Sequence, residues 1–342
     1  MAARLWQALI RRLRSGDGFE ADARREQAVL AGAARSLSIA VTDHGNGLLE
    51  FARDGRRTFI RHNTTGVESA ISHKIAGDKA LVQSLLSEAG LPVPPFRWFA
   101  RDAFPEAARY ARELDGPVVV KPRRGTSGGA GVTVAVSGPR DFRAAFCTAG
   151  FYGPDVLVER YVAGRNIRLL MVEGILLSAV ERIPPMVTGN GRDTIRTLIS
   201  RENAARRART APPRLWPIPV DRDLRDTLAD QGLNLTSRPD VDRRVVLNRV
   251  VNGHKGAVVE EITHCLHPGF VAMAERAMAV CGIAFAGVDM LAADFRRAPA
   301  AGAVVINELN TNPSFYGHYQ AVNRENRTDP AAGFLNYLFD RS

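Results

Sequence analysis

The chain is most distinctive at Val118-Val119-Val120-Lys121-Pro122-Arg123-Arg124-Gly125-Thr126-Ser127-Gly128-Gly129-Ala130-Gly131-Val132-Thr133-Val134. Here an apolar strand delivers a lysine, and a loop with four glycines returns into a second strand. Glycines let backbone N–H groups converge on phosphate oxygens and let the loop move as a lid. The Walker pattern GxxxxGK[ST] is absent, and no helix follows directly, as a dinucleotide fingerprint requires. The stretch therefore predicts a phosphate-binding loop of another type, with a plain flexible hairpin as the alternative.

Lysine is rare in this chain, which has 46 Lys and Arg residues but only Lys74, Lys79, Lys121 and Lys255 as lysines. A chain that uses arginine wherever positive charge suffices has kept lysine where a compact ammonium is needed. Lys79 and Lys121 lie ahead of a C-terminal group of two carboxylates and a carboxamide. This inventory suits an enzyme that holds ATP with lysines and magnesium with the acidic group.

The acidic group consists of Asp289, Glu308 and Asn310, each within an apolar, strand-like stretch. Glu308 and Asn310 point to the same side of a strand, because side chains alternate with a period of two. If Asp289 lies on a neighbouring strand, three oxygen donors face one point. Magnesium favours such ligands and keeps places for phosphate oxygens and water. The alternative is a paired acidic patch on an edge strand.

Composition narrows the class of protein. The 342 residues are 45% hydrophobic and 24% charged, as in a soluble globular protein, and no apolar run is long enough to cross a bilayer. The net charge of +10 comes from scattered arginines without an aromatic-interleaved basic motif, so we expect a basic surface and not a nucleic-acid binder. Cys147, Cys265 and Cys281 are widely spaced, which predicts reduced, mostly buried thiols in a cytoplasmic protein.

The N-terminal stretch MAARLWQALIRRLR is basic and amphipathic. It lacks the apolar core and the cleavage site of a secretory signal. We expect a terminal helix that packs on its own domain or on a dimer mate. A helix that binds a membrane surface or a partner is the alternative.

Secondary structure follows from apolar periodicity and from turn residues. The stretch 67–90, for example, is predicted as one helix because Gly90 and three prolines at 92, 94 and 95 follow its apolar pattern. Strands and helices do not alternate regularly, which predicts a mixed α+β fold and not a doubly wound sheet. The predicted helices are 19–36, 67–90, 139–147, 192–209, 221–231 and 271–280. The predicted strands are 38–41, 47–51, 58–60, 118–120, 132–136, 156–158, 167–172, 175–180, 245–251, 287–291 and 304–309.

In this order, from about residue 37 to 320, the elements resemble the ATP-grasp superfamily. They are most similar to the ATP-grasp module of cyanophycin synthetase and to the glutathione-synthetase module of bifunctional glutathione-forming enzymes. The stretches that carry the resemblance are Asp78-Lys79 with the following LLSEAGLPVP, Val120-Lys121-Pro122, the run from Glu159 to Arg168, and the run from Val187 to Ile199.

The resemblance implies a role for each matching residue. Lys79 and Lys121 would contact the ATP phosphates under the glycines of the loop, and Arg168 would face phosphate or the acyl intermediate. Arg168, Arg249 or Lys255 would stabilise the tetrahedral oxyanion. The remaining positions are the loop glycines Gly128, Gly129 and Gly131, the adenine border Glu159, Tyr161 and Val162, the ribose contact Asn166, and the magnesium ligands Asp289, Glu308 and Asn310. Two magnesium ions are expected, and manganese would substitute.

The chain departs from the family pattern at four places, and three of them concern the substrate half. Asn166 stands where the family usually has an acidic ribose contact, and Asn248 stands where it has an arginine. The loop 252–257 replaces the usual "NxSTGG", and the stretch 311–319 is more aromatic than expected. The nucleotide half is therefore expected to be retained while the substrate half has changed.

The resemblance implies an ATP-grasp fold that holds the nucleotide between two subdomains, with a small N-terminal α/β subdomain. The expected units are a helical extension at 1–36, an N-terminal subdomain at 37–115, a lid at 116–165 and a C-terminal subdomain at 166–342. The expected activity is an ATP-dependent carboxylate–amine ligase that acts on amino acids or short peptides. A small-molecule kinase and a non-catalytic nucleotide-binding module are the alternatives. A homodimer without nucleic-acid or membrane partners is also expected.

Overall fold

A computed structural model of the protein describes residues 23–126, 129–209, 213–251, 253–323 and 328–340. The helices are α1 (23–36), α2 (Ala70–Ala76), α3 (Lys79–Glu88), α4 (Phe104–Glu113), α5 (Pro139–Tyr152), α6 (Ile195–Ala208), α7 (Arg222–Ala229), α8 (Pro268–Cys281) and α9 (Pro330–Asp340). The strands are β1 (Ala40–Asp43), β2 (Leu48–Arg53), β3 (Arg56–Arg61), β4 (Phe96–Ala100), β5 (Val118–Pro122), β6 (Thr133–Val136), β7 (Asp155–Arg160), β8 (Arg165–Val172), β9 (Ile175–Ile183), β10 (Met186–Thr188), β11 (Arg244–Val246), β12 (Val258–Glu261), β13 (Phe285–Ala292) and β14 (Val304–Thr311).

The central sheet has five antiparallel strands in the order β12-β9-β8-β13-β14. Both of its faces are covered, so β8 is apolar on both sides. Ile167, Leu169 and Met171 pack in a core with α3 and α8. Leu170 and Val172 pack in a second core with α1, α9 and the small sheet β1-β2-β3. The end of the sheet that carries charged residues is left to line a cleft.

A second antiparallel sheet of four strands, in the order β4-β7-β5-β6, packs on α4 and α5. Its strands β5 and β6 flank the glycine-rich turn. The strand β4 lies before the predicted boundary at residue 116, yet it pairs with β7 from Phe96 opposite Glu159 to Ala100 opposite Asp155. The sheet that carries Lys121 is therefore assembled from segments on both sides of that boundary.

A third unit consists of β10 and β11 with helices α6 and α7 around a small core of its own. Helix α6 is capped by Thr194, whose hydroxyl accepts a hydrogen bond from the backbone N–H of Thr197. The strand predicted at 245–251 is shorter than expected and covers only Arg244–Val246. Asn248 beyond it is buried and caps a turn by accepting from the N–H of Val250.

The single helix predicted at 67–90 is wrong, because the structure divides it into α2 and α3 at Gly77 and Asp78. The Asp78 carboxylate accepts from the backbone N–H of Leu81 and so starts a new helix. The expectation of mostly buried thiols is also wrong in part, since Cys147 is exposed and Cys265 half-buried, while burial raises the pKa of Cys281 to about 11. Within the described ranges, every helix is too short or too polar to cross a bilayer.

Candidate active site

The two predicted groups of functional residues line one cleft of about 1150 Å³. Lys79 and Lys121 enter it from α3 and β5, and the acidic group enters it from β13 and β14. The cleft thus lies between the four-stranded and the five-stranded sheets. Of the other predicted residues, the cleft is also lined by Gly129, Glu159, Tyr161, Val162, Asn166, Arg168 and Arg249.

Lys121 forms a buried ion pair. Its Nζ lies 2.7 Å from Oε1 of Glu159, and the two residues are 5% and 2% exposed. The other carboxylate oxygen of Glu159 accepts from Nε2 of Gln83 at 2.8 Å. The pairing of β5 with β7 produces this contact. Lys121 lies opposite Leu157 and Val119 lies opposite Glu159, so Lys121 and Glu159 are diagonal neighbours on one face of the sheet. Two charges held together in a dry place leave the ammonium fixed at the wall of the cleft.

Lys79 is positioned by the residue before it. Asp78 accepts from Arg123 Nε and Nη2, each at 2.8 Å, and from Arg124 Nε at 2.8 Å. The backbone N–H of Lys79 donates to the carbonyl of Arg123 at 3.2 Å. Burial alone would raise the pKa of Asp78, but the hydrogen bonds from both arginines and from Leu81 lower it overall. This contact joins the start of α3 to the base of the glycine-rich turn.

The acidic group comes together through the pairing of β13 with β14. Asp289 lies opposite Glu308 and Gly287 opposite Asn310, so the three polar side chains share one face. Asn310 Nδ2 donates to Asp289 Oδ2 at 3.2 Å, and Lys79 Nζ lies 3.5 Å from Glu308 Oε1. One of the predicted phosphate lysines therefore already contacts one of the predicted metal ligands.

Two arginines hold the Asp289 carboxylate. Arg168, directly opposite on β8, donates through Nε and Nη2 at 2.6 and 2.7 Å. Arg182 on β9 donates through Nη2 at 2.9 Å and Nη1 at 3.4 Å. Burial would raise the pKa of Asp289, but the charges of Arg168 and Arg182 and their hydrogen bonds lower it overall. The carboxylate is therefore ionised.

Arg182 was missed by sequence reasoning. The strand predicted at 175–180 ends too early, whereas β9 continues to Ile183 and carries Arg182 onto the cleft. Alternation along the strand would have pointed to it, because Val180 and Arg182 share a face of β9 and both line the cleft.

Comparisons with known proteins agree with this geometry. A family model described as D-ala D-ala ligase C-terminus matches residues 85–185. The cyanophycin synthetase of Synechocystis sp. (strain ATCC 27184 / PCC 6803 / Kazusa) is 32% identical over 270 residues, which is 78% of this chain and 30% of that protein. A glutathione biosynthesis bifunctional protein of Desulfotalea psychrophila (strain LSv54 / DSM 12343) is 25% identical over 300 residues, 86% of this chain and 38% of that protein.

A solved structure has the same fold. The bifunctional glutathione synthetase from Pasteurella multocida superimposes with a TM-score of 0.63 at 22% identity, over 92% of this chain and 43% of that one. Together these matches support membership of the ATP-grasp superfamily. The predicted α+β fold of that superfamily is confirmed, and the chain spans about a third of the length of the curated relatives that it matches.

The acidic group of the chain suits a hard cation. Two carboxylates and a carboxamide offer oxygen donors on one face, as magnesium prefers. The described part of the chain contains no cluster of three or more His, Cys, Asp or Glu side chains that could hold a metal ion by themselves. A magnesium ion held by Asp289, Glu308 and Asn310 would therefore need phosphate oxygens and water to complete its set of ligands. Asp289 would have to exchange an arginine contact for the ion, because its oxygens accept from Arg168, Arg182 and Asn310.

The residues predicted for adenine and ribose all line the cleft. Tyr161 continues the β7 edge and donates its backbone N–H to the carbonyl of Pro117 at 2.9 Å. Asn166, which replaces the usual acid, has a buried Oδ1 without a hydrogen-bond partner among the described residues. An unsatisfied buried acceptor is uncommon, so this atom suits a ligand hydroxyl.

The structure brings the other predicted residues together only in part. Gly128 lies outside the described residues, and Gly131 packs against Tyr152 and Pro122 without lining the cleft. Arg249 lines the cleft, with Nη1 2.5 Å from Asp230 Oδ2.

Lys255 does not line the cleft, which differs from its predicted position. Its Nζ donates to Asp221 and Asp223 at the start of α7, at 2.5 and 2.7 Å. Burial alone would lower the pKa of Lys255, but these two carboxylates raise it overall. The ammonium is satisfied within its own small unit, so we no longer assign it the oxyanion.

Proposed function

We propose that the chain is an ATP-dependent carboxylate–amine ligase that joins amino acids or short peptides through an acyl phosphate and releases ADP and phosphate. Two lines of support lead to it. The relatives carry the names cyanophycin synthetase and glutathione biosynthesis bifunctional protein, and the matching family model is named for a D-ala D-ala ligase. The cleft offers lysines, arginines and oxygen donors but needs no Ser or Cys nucleophile, because positioning and electrostatics carry this chemistry.

One observation carries the proposal: the two lysines and the acidic group line the same cleft. The volume of about 1150 Å³ exceeds that of a typical small-molecule pocket, so a nucleotide and a second substrate fit together. The reverse arrangement, with the lysines and the acidic group on opposite sides of the molecule, would have excluded any shared triphosphate.

The chain's own residues supply most of the electrostatics. Lys121, held by Glu159, and Lys79, held next to Glu308, would bind phosphate oxygens. When bound, magnesium supplies neutralisation of phosphate charge during transfer. A substrate carboxylate oxygen would attack the γ-phosphorus as the bond to ADP breaks.

Arg168 and Arg182 would face the charge that develops in the second step. The amine nitrogen attacks the acyl carbon, the phosphate leaves with the electrons of the broken bond, and the nitrogen gives up a proton to become the amide. The carbonyl oxygen is negative in between, and both arginines lie on the cleft next to Asp289. Removing one such stabilising donor typically costs about 3 kcal/mol.

The test is a pairwise screen of amino acids for ADP release, with mass spectrometry of the product. An amide and free phosphate identify a ligase, whereas a stable phosphoester identifies a kinase. We expect Lys121→Ala and Glu308→Gln to lower ADP formation about 100-fold or more. The exposed Lys74 does not line the cleft, so Lys74→Ala is the matched control and should keep wild-type rates. Full turnover by either cleft variant would remove these residues from the site.

The finer predictions about the protein's surroundings stay predictions. These are the identity of the two substrates, the binding of two ions, the homodimer, the cytoplasmic location and the lack of nucleic-acid or membrane partners.

A further inference from the structure

One wall of the cleft is an irregular segment that follows the acidic group. Residues 312–320 have no regular structure except a short 3-10 turn at His318–Gln320, and Asn312 has a positive φ of 52°. Nearly all of the segment lines the cleft, namely Asn312, Pro313, Ser314, Tyr316, Gly317, His318 and Gln320. A wall made of irregular backbone needs other elements to fix its shape.

The 312–320 segment carries buried polar atoms that lack a partner. Within the described part of the chain, these are Oδ1 of Asn312, Nε2 of His318 and Nε2 of Gln320. Buried polar atoms are nearly always hydrogen-bonded, so a group of three along one wall of a cleft points to a ligand. In two of these side chains the other polar atom does have a partner. His318 Nδ1 lies 3.0 Å from Ser178 Oγ, and Gln320 Oε1 accepts from the backbone N–H of Arg214 at 2.8 Å.

His318 is a neutral member of this set. Burial lowers its pKa to about 3, and the charges of Arg168 and Arg182 lower it further than the charge of Asp289 raises it. Its Nε2 therefore offers a hydrogen bond without a charge at neutral pH. The amide Nε2 of Gln320 can only donate, so it suits an oxygen of a carboxylate or a carbonyl.

A carboxylate from the far end of the chain fixes this wall. Glu26 on α1 is 4% exposed and accepts three hydrogen bonds from the segment. Its donors are Ser314 Oγ at 2.7 Å and the backbone N–H groups of Phe315 and Tyr316 at 2.6 and 3.1 Å. The ring of Phe315 is buried between Phe285 and Phe334, with centroids 5.4 and 5.2 Å away. The segment is thus anchored at its middle from both sides.

The neighbouring residue on α1 connects two walls. The guanidinium of Arg25 lies 5.7 Å from the ring centroids of both Trp216 and Tyr316. Both rings line the cleft, although one follows α6 and the other belongs to the 312–320 segment. At this distance, close to the limit of about 6 Å, the guanidinium attracts both rings weakly.

We propose that the 312–320 segment recognises the amino-acid or peptide substrate through Gln320 and His318, and that Glu26 is the positioning residue that sets this specificity. The inference rests on the proposed ligase function and deepens it. The recognised group is an oxygen acceptor of the substrate, such as its carboxylate. Helix α1 is then part of the substrate site although it lies outside the ATP-binding elements.

The test compares Glu26→Gln, Ser314→Ala and Gln320→Ala with a matched control in the amino-acid screen. Glu68 provides the control, because its carboxylate also accepts from two backbone N–H groups, those of Ala284 and Phe285, and from Ser72, but it does not line the cleft. We expect Glu26→Gln, Ser314→Ala and Gln320→Ala each to raise the KM for the amino-acid substrate by up to about tenfold, the usual effect of weakening a hydrogen bond to a charged group. The KM for ATP and kcat should change less than about twofold, and Glu68→Gln should leave all three constants unchanged.

The inference is overturned if Glu26→Gln raises the KM for ATP as much as that for the amino acid, or if Glu68→Gln behaves identically. A wild-type protein that releases no ADP with any pair would instead refute the proposed function. In that case, the inference about Glu26 is tested by measuring the change in Tm that each amino acid of the screen causes when it is added alone. It stands if one of them raises the Tm of the wild type and of Glu68→Gln but not of Glu26→Gln, and it falls if none does or if all three proteins respond alike.

Discussion

Replacing Glu159 by glutamine isolates the buried ion pair on which the nucleotide side of the cleft depends. The change removes the negative charge that faces Lys121 Nζ at 2.7 Å while it keeps the size of the side chain. Both residues are at most 5% exposed, so the ammonium loses its counter-charge in a place that water reaches only from the cleft. Breaking a buried pair by removing one partner typically costs about 3–5 kcal/mol, and we expect a loss of free energy of unfolding in that range.

The assay is urea unfolding of Glu159→Gln, Lys121→Met and the double variant, with and without ATP. The double variant should recover most of the loss, because no unpaired charge stays buried. Saturating ATP should recover part of the loss in Glu159→Gln alone, since phosphate oxygens give Lys121 a new partner. A loss below about 1 kcal/mol in Glu159→Gln, the size expected for an exposed pair, would refute the assignment of a dry pair.

Two further predictions concern pH and backbone strain. Burial and the nearby arginines lower the pKa of His318 to about 3 in the folded protein, below the ordinary value of about 6.5. As the pH falls, His318 of the unfolded chain therefore binds a proton before His318 of the folded protein does. The free energy of unfolding is unaffected by His318 above pH 6.5 and falls by up to about 1.4 kcal/mol per pH unit below it. His318→Asn should flatten this loss between pH 7 and 5 in urea unfolding, and an unchanged slope would contradict the neutral imidazole. Gly131→Ala should destabilise more than Gly125→Ala, because both glycines have φ near +74° but only a Cβ at 131 would lie 2.7 Å from Tyr152 and 2.8 Å from Pro122. Gly125→Ala should cost about 1–2 kcal/mol for backbone strain alone, and Gly131→Ala should cost about 1–3 kcal/mol more. Equal Tm values for the two variants would disprove the close packing.

The sequence was sufficient for features that depend on local patterns. Apolar runs located the strands on both sides of the glycine-rich turn, and the period of two placed Glu308 and Asn310 on one side of β14. The hairpin predicted at 167–172 and 175–180 is confirmed as β8 and β9. The fold itself was inferred from the resemblance to a known family, because short motifs alone do not determine a fold.

Features that depend on register or on distant segments could not be predicted. Arg168 meets Asp289 only because β8 and β13 pair in one particular register. The position of Lys255 depends on Asp221 and Asp223, which lie more than thirty residues before it and look like ordinary helix-start residues. The break between α2 and α3 lies at Asp78, which caps α3 and also accepts from Arg123 and Arg124, 45 and 46 positions later. In each case a long-range contact overrides the local preference.

The Glu26 contact also bears on how the molecule is made. Glu26 and Phe315 are separated by 289 positions, and Arg168 and Asp289 by 121. A ribosome releases the N-terminal segments first, and non-local antiparallel pairing is slow. The edge of β8 in the β8–β9 hairpin therefore stays unpaired until β13 is synthesised. Nascent chains that stop before residue 320 lack part of the 312–320 wall, so the cleft is completed only after β14 has been synthesised.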